Sequence, residues 1–471
     1  MSSAGAAAGG QPGSPGRARQ PNILVILSDQ LRRAALACYG DPNVSTPHID
    51  GLASEGVRFA NACVTYPVCV PSRFTLMTGE YAHTRLVPAI GWRMSPAERT
   101  IAHDLGAVGY QTAYFGKWHL FGAHPRGGPV LAKKRGLTPI PRPYRGGFEY
   151  WRGFEFRNSP FDTYYFADDD PEPRKIDGYQ TDGLFGLCER FVAEERDTAR
   201  PFFAVLSVEP PHFPMEAPEE YLARWLEREV TERANVPSEP DPEQRAKRRD
   251  YLRRYYAMVE NLDDNVGRLL ALLEGRGLRD NTVVLLIADH GDMLGSHGLT
   301  SKQQPYEESI GVPLIASWPA GGIGRGRVVA DVTCSEDWFP TLRGLAGREA
   351  LPDKPGRDLA PLMRGEVDRV AREGVLLELV MELRANAKFY DETWRAWRTE
   401  RFKYTVKGGE AGATPWQLFD LSNDPYEERN LIDDPAHAEV AARLHGQLRA
   451  TLAASHDDYS LEPAFGHARY R

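Results

Sequence analysis

Four apolar stretches of the sequence end in polar residues whose types could do chemistry. These residues are two acids, each followed by a glutamine or a histidine, together with a lysine and two further histidines: Asp29, Gln30, Lys117, His119, His212, Asp289 and His290. Carboxylate and amide oxygens with an imidazole can together hold a divalent cation. If the four stretches end at the same place in the fold, the sequence predicts a metal site there.

The stretches that carry these residues have the pattern of buried parallel strands. Each is apolar, with β-branched or aromatic residues before its polar end: PNILVILSDQ (21–30), GYQTAYFGKWH (109–119), PFFAVLSVEPPH (201–212) and NTVVLLIADHGD (281–292). Continuous apolar runs of this kind are typical of strands buried on both faces. Helical patterns at 45–59 and 251–278 alternate with them, so we expect an α/β domain with a large, mostly parallel sheet sandwiched by helices. Ligands bind at the carboxyl ends of strands in such sheets, which would bring the polar residues together.

The chain of 471 residues is long enough for one large domain and a smaller one. Residues 1–20 are rich in Gly, Ala, Ser and Pro and are interpreted as a disordered tail, and 21–345 as the domain that holds the candidate site. Alternating stretches and a closing amphipathic helix within 346–471 predict a C-terminal α+β subdomain with a short antiparallel sheet. The charged segment 226–250 is expected to form a solvated helical surface.

The irregular segment 121–180 is expected to form ordered loops over the mouth of the site. Its aromatic residues and arginines are candidates for shaping a substrate pocket, and the alternative for each aromatic residue is that it packs the loop: Arg145, Trp151, Arg157, Tyr164 and Tyr165.

Composition excludes several classes of partner. A net charge of −8 and a pI near 5.9 argue against a nucleic-acid-binding surface. No run approaches the roughly 18 to 20 apolar residues that a membrane span needs, and the first twenty residues lack the apolar core of a secretory signal. We therefore expect a cytoplasmic protein without nucleic-acid or membrane partners, and leave open whether it forms a homo-oligomer.

Cys69 stands out among five scattered cysteines, which form no CxxC pair and are mostly interpreted as buried thiols. It lies in PVCVPSR (67–73), shortly before LMTGEY. This stretch resembles the signature of type I sulfatases, members of the alkaline phosphatase superfamily, in which the cysteine of CxPSR is converted to Cα-formylglycine. The resemblance continues, in order, through LSDQLRRAALACYGDPNVSTPHIDGLASEGVRF, GYQTAYFGKWHL, SVEPPHFP, ADHGDMLGSHGL, SKQQPYEESIGVPLI, RTERFKY and LFDLSNDPYEERNL, from about residue 21 to 435.

The resemblance implies an alkaline phosphatase-like fold and a sulfatase, which hydrolyses the sulfate ester of a small molecule or carbohydrate to an alcohol and inorganic sulfate. A formylglycine-generating enzyme would mature Cys69. One hydroxyl of the hydrated aldehyde would attack the sulfate ester and form a covalent intermediate, and the other would expel sulfate as the aldehyde re-forms.

The resemblance also implies roles for particular positions. The residues that would act on the sulfate are Cys69, Arg73, Lys117, His119, His212 and Lys302. Those that would bind the metal are Asp29, Gln30, Cys69, Asp289 and His290. Arg73 would hold the hydrate and the carboxylates in place, whereas His212 or Lys302 would donate a proton to the leaving oxygen, a choice that the sequence leaves open.

Two positions depart from the common sulfatase pattern. Gln30 and His290 stand where Asp and Asn are frequent, and they resemble the branch that contains phosphonate monoester hydrolases and choline-sulfatase-like enzymes. The family favours Ca²⁺, but an amide in place of a carboxylate makes Mn²⁺ or Mg²⁺ an alternative. The alternative function is hydrolysis of phosphonate monoesters or phosphodiesters on the same scaffold. Lys117 and His119 favour the sulfatase, because the phosphonate branch carries hydroxyl side chains there. A binding homologue that is never matured at Cys69 is a further alternative.

Overall fold

A ten-stranded sheet carries the residues predicted to do chemistry. The structure, a computed structural model, describes residues 20–122, 137–381, 389, 393–409, 412–459 and 461, so nearly all of the predicted tail at 1–20 lies outside the described residues. The strands of this sheet are β1 (Asn22–Ser28), β2 (Val57–Ala62), β3 (Gln111–Lys117), β4 (Tyr150–Phe154), β5 (Tyr164–Ala167), β6 (Arg174–Lys175), β7 (Phe202–Val208), β8 (Thr282–Ala288), β9 (Leu314–Ser317) and β10 (Arg327–Thr333).

The strand order is β10-β2-β9-β8-β1-β7-β3-β4-β5-β6. The central strands β8, β1, β7, β3 and β4 are parallel to one another, while β9, β5 and β6 pair with antiparallel neighbours. Every residue of β1, β7 and β8 is buried. The predicted mostly parallel sheet is therefore confirmed.

Helices cover both faces of this sheet. They are α1 (Pro47–Glu55), α2 (Cys69–Thr78), α3 (Ile101–Gly106), α4 (Gln180–Arg190), α5 (Glu219–Trp225), α6 (Pro242–Gly275), α7 (Glu307–Ile310), α8 (Trp338–Leu345) and α9 (Ala360–Arg364). Alternate side chains of β1 show the sandwich: Leu24 and Ile26 pack in the cluster with α4 and α6, whereas Val25 packs in the cluster with α2 and α8. Burial on both faces explains why the strand reads as a continuous apolar run.

Two predicted elements differ in their bounds. The first helix ends at Glu55, and Val57 begins β2. Gly56 between them lies so close to the Ala316 carbonyl that a Cβ there would be 2.1 Å from its oxygen, so the turn requires glycine. The helix predicted at 251–278 begins at Pro242, where Asp241 accepts a hydrogen bond from the Glu243 amide as N-cap. The charged segment 226–250 is thus helical only in its last part.

Residues 121–180 contain more regular structure than the sequence predicts. Strands β4 to β6 extend the main sheet beyond β3. Trp151 in β4 is fully buried and stacks on Tyr114 with a centroid separation of 5.1 Å. Its aromatic ring therefore packs the core.

The C-terminal part forms a four-stranded antiparallel sheet with a helix, as predicted. The elements are β11 (Val375–Leu379), β12 (Thr393–Arg398), β13 (Phe402–Gly409), β14 (Gly412–Asp420) and α10 (Ala438–Ala454), with strand order β11-β12-β13-β14. The boundary between residues 345 and 346 stays a prediction. Across the described part of the chain, no helix has the length and apolar character needed to cross a bilayer.

Candidate active site

The predicted site residues meet at the carboxyl ends of the central strands. Asp29 follows β1, Lys117 ends β3 and Asp289 follows β8, while Cys69 is the first residue of α2. Gln30 and His119 have left-handed backbone conformations, with φ of 64° and 58°. Such conformations in residues other than glycine cost free energy and concentrate at functional sites.

The residues surround one cavity of about 620 Å³. The candidates that line it are Gln30, Cys69, Lys117, His119, His212 and Lys302. The remaining candidates are fully buried and contact residues of the cavity wall: Asp29, Arg73, Asp289 and His290. The structure therefore brings together every residue that the sequence predicts to act on the sulfate or to bind the metal.

Arg73 joins the two buried carboxylates. Its Nε donates to Asp289 Oδ2 at 2.8 Å and a terminal nitrogen donates to Asp29 Oδ2 at 3.2 Å. The other terminal nitrogen donates to the Lys117 carbonyl and to Ser207 Oγ, both at 2.9 Å. Burial alone would lower the pKa of Arg73, but Asp289 and Asp29 raise it, so the guanidinium stays charged. Its planar fork fixes both carboxylates in orientation.

The other carboxylate oxygens face His290. Asp29 Oδ1 lies 3.4 Å and Asp289 Oδ1 lies 3.5 Å from His290 Nε2. His290 Nδ1 lies 3.0 Å from the Gly291 carbonyl oxygen, which can only accept, so Nδ1 carries the proton and Nε2 offers a lone pair. Burial, opposed by Asp289, lowers the pKa of His290 to about 4. A neutral imidazole with its lone pair beside two carboxylates is the form that binds metal.

The same residues fit a single divalent ion. Ligand atoms of Asp29, Cys69, Asp289 and His290 all lie within 4.8 Å of one another, as expected for atoms that share one ion at about 2 to 2.6 Å each. Gln30 adds an amide whose Nε2 donates to Asp292 Oδ2 at 2.5 Å. That bond assigns the amide oxygen to the side of the cluster, where Lys302 Nζ lies 3.2 Å away.

Cys69 lies between the carboxylates and Lys302. Its Sγ is 3.0 Å from Lys302 Nζ, 3.1 Å from His290 Nε2 and 3.8 Å from Asp29 Oδ1. Burial and Asp29 oppose ionisation of the thiol, but the positive charges of Lys302 and Lys117 outweigh them and lower its pKa. The side chain thus points into the polar cluster and is in no apolar core.

Lys117, His119 and His212 complete the polar wall of the cavity. Lys117 Nζ lies 2.6 Å from Asp29 Oδ2, and Asp29 raises its pKa against burial. Burial and the neighbouring Lys117 hold the pKa of His119 well below its ordinary value, and its buried Nδ1 has no hydrogen-bond partner in the described residues. His212 Nδ1 lies 2.7 Å from the Phe213 carbonyl oxygen, which leaves Nε2 as the nitrogen available to a ligand.

Glu209 is a site residue that the sequence reasoning did not single out. Its carboxylate accepts from the backbone amides of Arg157 and Asn158 at 2.8 and 3.1 Å and lies 3.7 Å from Lys117 Nζ. Glu209 directly follows β7, as Asp29 directly follows β1. An acidic residue at the end of a predicted strand could have indicated Glu209 from the sequence.

The segment 121–180 reaches the cavity with residues other than those predicted. Phe156 and Asn158 line it, together with Ile90 and Phe213 at its mouth and Met381 from the end of β11. None of the residues predicted to shape the pocket lines the cavity: Arg145, Trp151, Arg157, Tyr164 and Tyr165. Trp151 lies in strand β4, and Tyr164 and Tyr165 lie in strand β5.

The sequence matches two family profiles. The profile of the family Sulfatase matches residues 21–348, and that of N-sulphoglucosamine sulphohydrolase, C-terminal, matches residues 295–454.

Individual proteins agree with the profiles. The chain is 33% identical over 446 residues to an ulvan-active sulfatase of Formosa agariphila, covering 93% of this chain and 82% of the relative. It is 25% identical to an N-acetylglucosamine-6-O-sulfatase of Bacteroides thetaiotaomicron, with 92% and 86% covered. The solved structure of the yidJ protein of Bacteroides fragilis superposes with a TM-score of 0.83 at 27% identity, covering 95% and 98%. This chain belongs to the sulfatase family and is a sulfuric ester hydrolase.

Proposed function

We propose that Cys69, once oxidised to formylglycine, is the nucleophilic position of this sulfatase, and that the surrounding residues bind and cleave the sulfate ester of a carbohydrate. The observation that supports this most directly is the position of Cys69 Sγ. It lines the cavity and lies within 3.8 Å of Asp29, His290 and Lys302.

In this proposal, Asp29, Gln30, Asp289, His290 and the modified Cys69 hold one divalent ion. The hydrated aldehyde and the ion together would supply a hydroxyl nucleophile at neutral pH and neutralise charge on the sulfate. Ca²⁺ is the ion that the family favours, and Mn²⁺ or Mg²⁺ suits a site with one amide in place of a carboxylate. Arg73 keeps both carboxylates oriented before substrate arrives.

The residues that would bind the sulfate group and stabilise the charge that develops on it are Lys117, His119, His212 and Lys302. Lys302 Nζ lies 3.0 Å from Cys69 Sγ, and Lys117 Nζ lies 2.6 Å from Asp29 Oδ2, so both amino groups are close to the place where the sulfate would bind. The buried Nδ1 of His119 costs free energy while it is unpaired, which a bound substrate oxygen would offset. His212 and Lys302 both remain candidates for the proton donor to the leaving oxygen.

The mouth of the cavity supports a carbohydrate leaving group. Phe213 and Ile90 flank it and are 60% and 39% exposed, and an exposed aromatic face can stack on the apolar face of a sugar ring. One of the relatives is an N-acetylglucosamine-6-O-sulfatase, which supports a sugar sulfate for this chain as well. A cytoplasmic location, by contrast, stays a prediction from the sequence.

The two alternatives receive less support. The matched profiles and relatives are sulfatases, and Lys117 and His119 both line the cavity, which favours sulfate over a phosphonate or phosphodiester. A non-catalytic homologue would have no need to keep a complete set of ligands and cations around Cys69.

The test is to express the chain with a formylglycine-generating enzyme and to identify the side chain at position 69 by peptide mass. Sulfate release is then measured on N-acetylglucosamine 6-sulfate, choline sulfate and 4-nitrophenyl sulfate, beside the phenylphosphonate ester of the same phenol. We expect an aldehyde at position 69 and a larger kcat/KM for the sulfate of the matched pair. An aldehyde with no sulfate released, or a much larger kcat/KM for the phosphonate, would contradict the proposal.

A further inference from the structure

Lys302 lies in a loop whose backbone is held in an uncommon conformation. We call residues 299–306 the Lys302 loop. The residues on either side of Lys302, Ser301 and Gln303, have left-handed φ values of 64° and 77°. Such backbone conformations persist only where the surroundings impose them. The position of the Lys302 ammonium beside Cys69 therefore depends on what holds this loop.

The C-terminal sheet holds one side of the Lys302 loop. Trp394 of β12 donates its indole N–H to the Gln303 carbonyl at 2.9 Å. On the other side, the Gln303 amide donates to the Pro67 carbonyl at 3.2 Å, two residues before Cys69. At the end of the loop, Gln417 of β14 donates to Tyr306 Oη at 2.9 Å. The loop is thus bonded both to the segment that leads to Cys69 and to a sheet outside the α/β core.

Trp394 does not line the cavity. It is fully buried and packs in an apolar cluster with Tyr66, Val68 and Ile310. Its ring is therefore held by close packing, and its N–H donates to the carbonyl of Gln303, the residue next to Lys302. A hydrogen bond donated by a buried, closely packed side chain fixes geometry more tightly than a contact from an exposed side chain would.

We propose that Trp394 is a positioning residue of the sulfatase reaction, which acts on Lys302 through the Gln303 carbonyl. The inference rests on the role of Lys302 in the proposed function. It assigns the small antiparallel sheet a part in the active site, since β12 sets the place of a cation that would contact the sulfate.

Trp394→Phe removes the indole N–H and keeps an aromatic ring, so we expect kcat/KM for 4-nitrophenyl sulfate to fall about tenfold. The matched control is Trp397→Phe, three positions along the same strand, because the Trp397 N–H has no hydrogen-bond partner in the described residues. We expect the control to stay within about twofold of the unsubstituted protein. Rates are measured on matured protein and divided by the fraction of aldehyde at position 69, and melting temperatures show whether each variant is folded.

A double-mutant cycle with Lys302→Ala separates positioning from general stability. If Trp394 acts through Lys302, Trp394→Phe should lower kcat/KM by less than about twofold once Lys302 is absent. An undiminished tenfold loss in the Lys302→Ala background, or equal losses from the two tryptophan variants, would overturn the positioning role. If Lys302→Ala itself leaves kcat/KM unchanged, the proposed function of Lys302 fails and the positioning role falls with it.

Discussion

The Gln30 side chain is uncharged and can bind a metal ion only through its amide oxygen. Whether it acts as a ligand therefore depends on which end of the amide faces the cluster. Asp292 Oδ2 accepts from the amide nitrogen and so directs the oxygen toward the proposed metal site. Removing a residue that hydrogen-bonds to a metal ligand typically weakens metal affinity by about 10- to 100-fold.

We therefore expect Asp292→Ala to weaken binding of Ca²⁺ or Mn²⁺ by about 10- to 100-fold. The readout is the rise in melting temperature with ion concentration, since an ion that binds the folded protein stabilises it. Asp337→Ala is the control, because Asp337 is equally buried but accepts from the backbone amides of Cys334 and Arg357, away from the proposed metal site. Asp337→Ala should lower the melting temperature without shifting the ion dependence. Equal ion dependence in both variants would refute the role of Asp292.

Sequence reasoning reached the ligands, the lysines and Arg73, which orients two carboxylates, but not the residue that orients the Gln30 amide. Asp29 and Asp289 could be found because a continuous apolar run ends at each of them, and Cys69 because its neighbours Pro71 and Arg73 form a signature. Contacts such as the one between Gln30 and Asp292 join positions far apart in the chain. No local pattern marks them, because the pairing is set only when the strands assemble.

Among the elements, the loop after β7 carries both a candidate proton donor and an apolar surface. His212 lines the cavity, and Phe213 beside it exposes 60% of its surface at the mouth. If His212 protonates the leaving oxygen, as proposed, the Phe213 ring lies close to the leaving group. An exposed ring at that place can bind the leaving group without contacting the sulfate.

Phe213→Ala should therefore raise KM for N-acetylglucosamine 6-sulfate roughly three- to tenfold, the loss expected for one stacking contact, and leave kcat nearly unchanged. Phe161→Ala serves as the comparison, since Phe161 is 46% exposed but pairs with Tyr179 and does not line the cavity. Steady-state kinetics on matured protein decide the matter. A fall in kcat at constant KM would mean that Phe213 acts on His212 rather than on the sugar.

The aromatic residues that were candidates for the pocket wall lie elsewhere in the fold. Trp151 and Tyr165 looked like loop aromatics because the residues around them are rich in Gly, Pro and charge. They lie instead in β4 and β5, which extend the sheet at its edge. Short edge strands leave only a weak alternation in the sequence, and the pairing of β4 with β3 and of β5 with β4 is not visible in the local pattern.

At the scale of the whole molecule, a buried charge cluster joins the two parts of the fold. His83 follows α2, and its Nδ1 lies 2.5 Å from Glu378 Oε2 of β11. Its Nε2 lies 3.2 Å from the Ser455 carbonyl beyond α10. Arg395 of β12 donates to Asp457, whose carboxylate is 4.0 Å from His83. Both ring nitrogens thus face acceptors, an arrangement that favours the imidazolium.

The cluster predicts how stability depends on pH. Burial lowers the pKa of His83, but Glu378 outweighs it and the net pKa is raised. A group whose pKa is raised on folding contributes stability that is complete below its unfolded pKa, about 6.5, and that is lost as the pH rises through the folded value. His83→Gln should therefore lower the melting temperature by several degrees near pH 6, because it leaves Glu378 buried without its cation. The difference from the unsubstituted protein should shrink as the pH rises above 6.5.

Thermal unfolding of both proteins measures this difference directly. The measurements run from pH 5.5 to about 9, a range that includes the usual histidine pKa values. His437→Gln is the matched control, since His437 is partly exposed and pairs only with Asp434 beside α10. It should leave the pH dependence as it is in the unsubstituted protein. A difference between His83→Gln and the unsubstituted protein that stays constant over the whole range would mean that His83 contributes by packing, for example on Tyr81 at 5.5 Å. The charge cluster would then not be what couples the C-terminal sheet to the catalytic one.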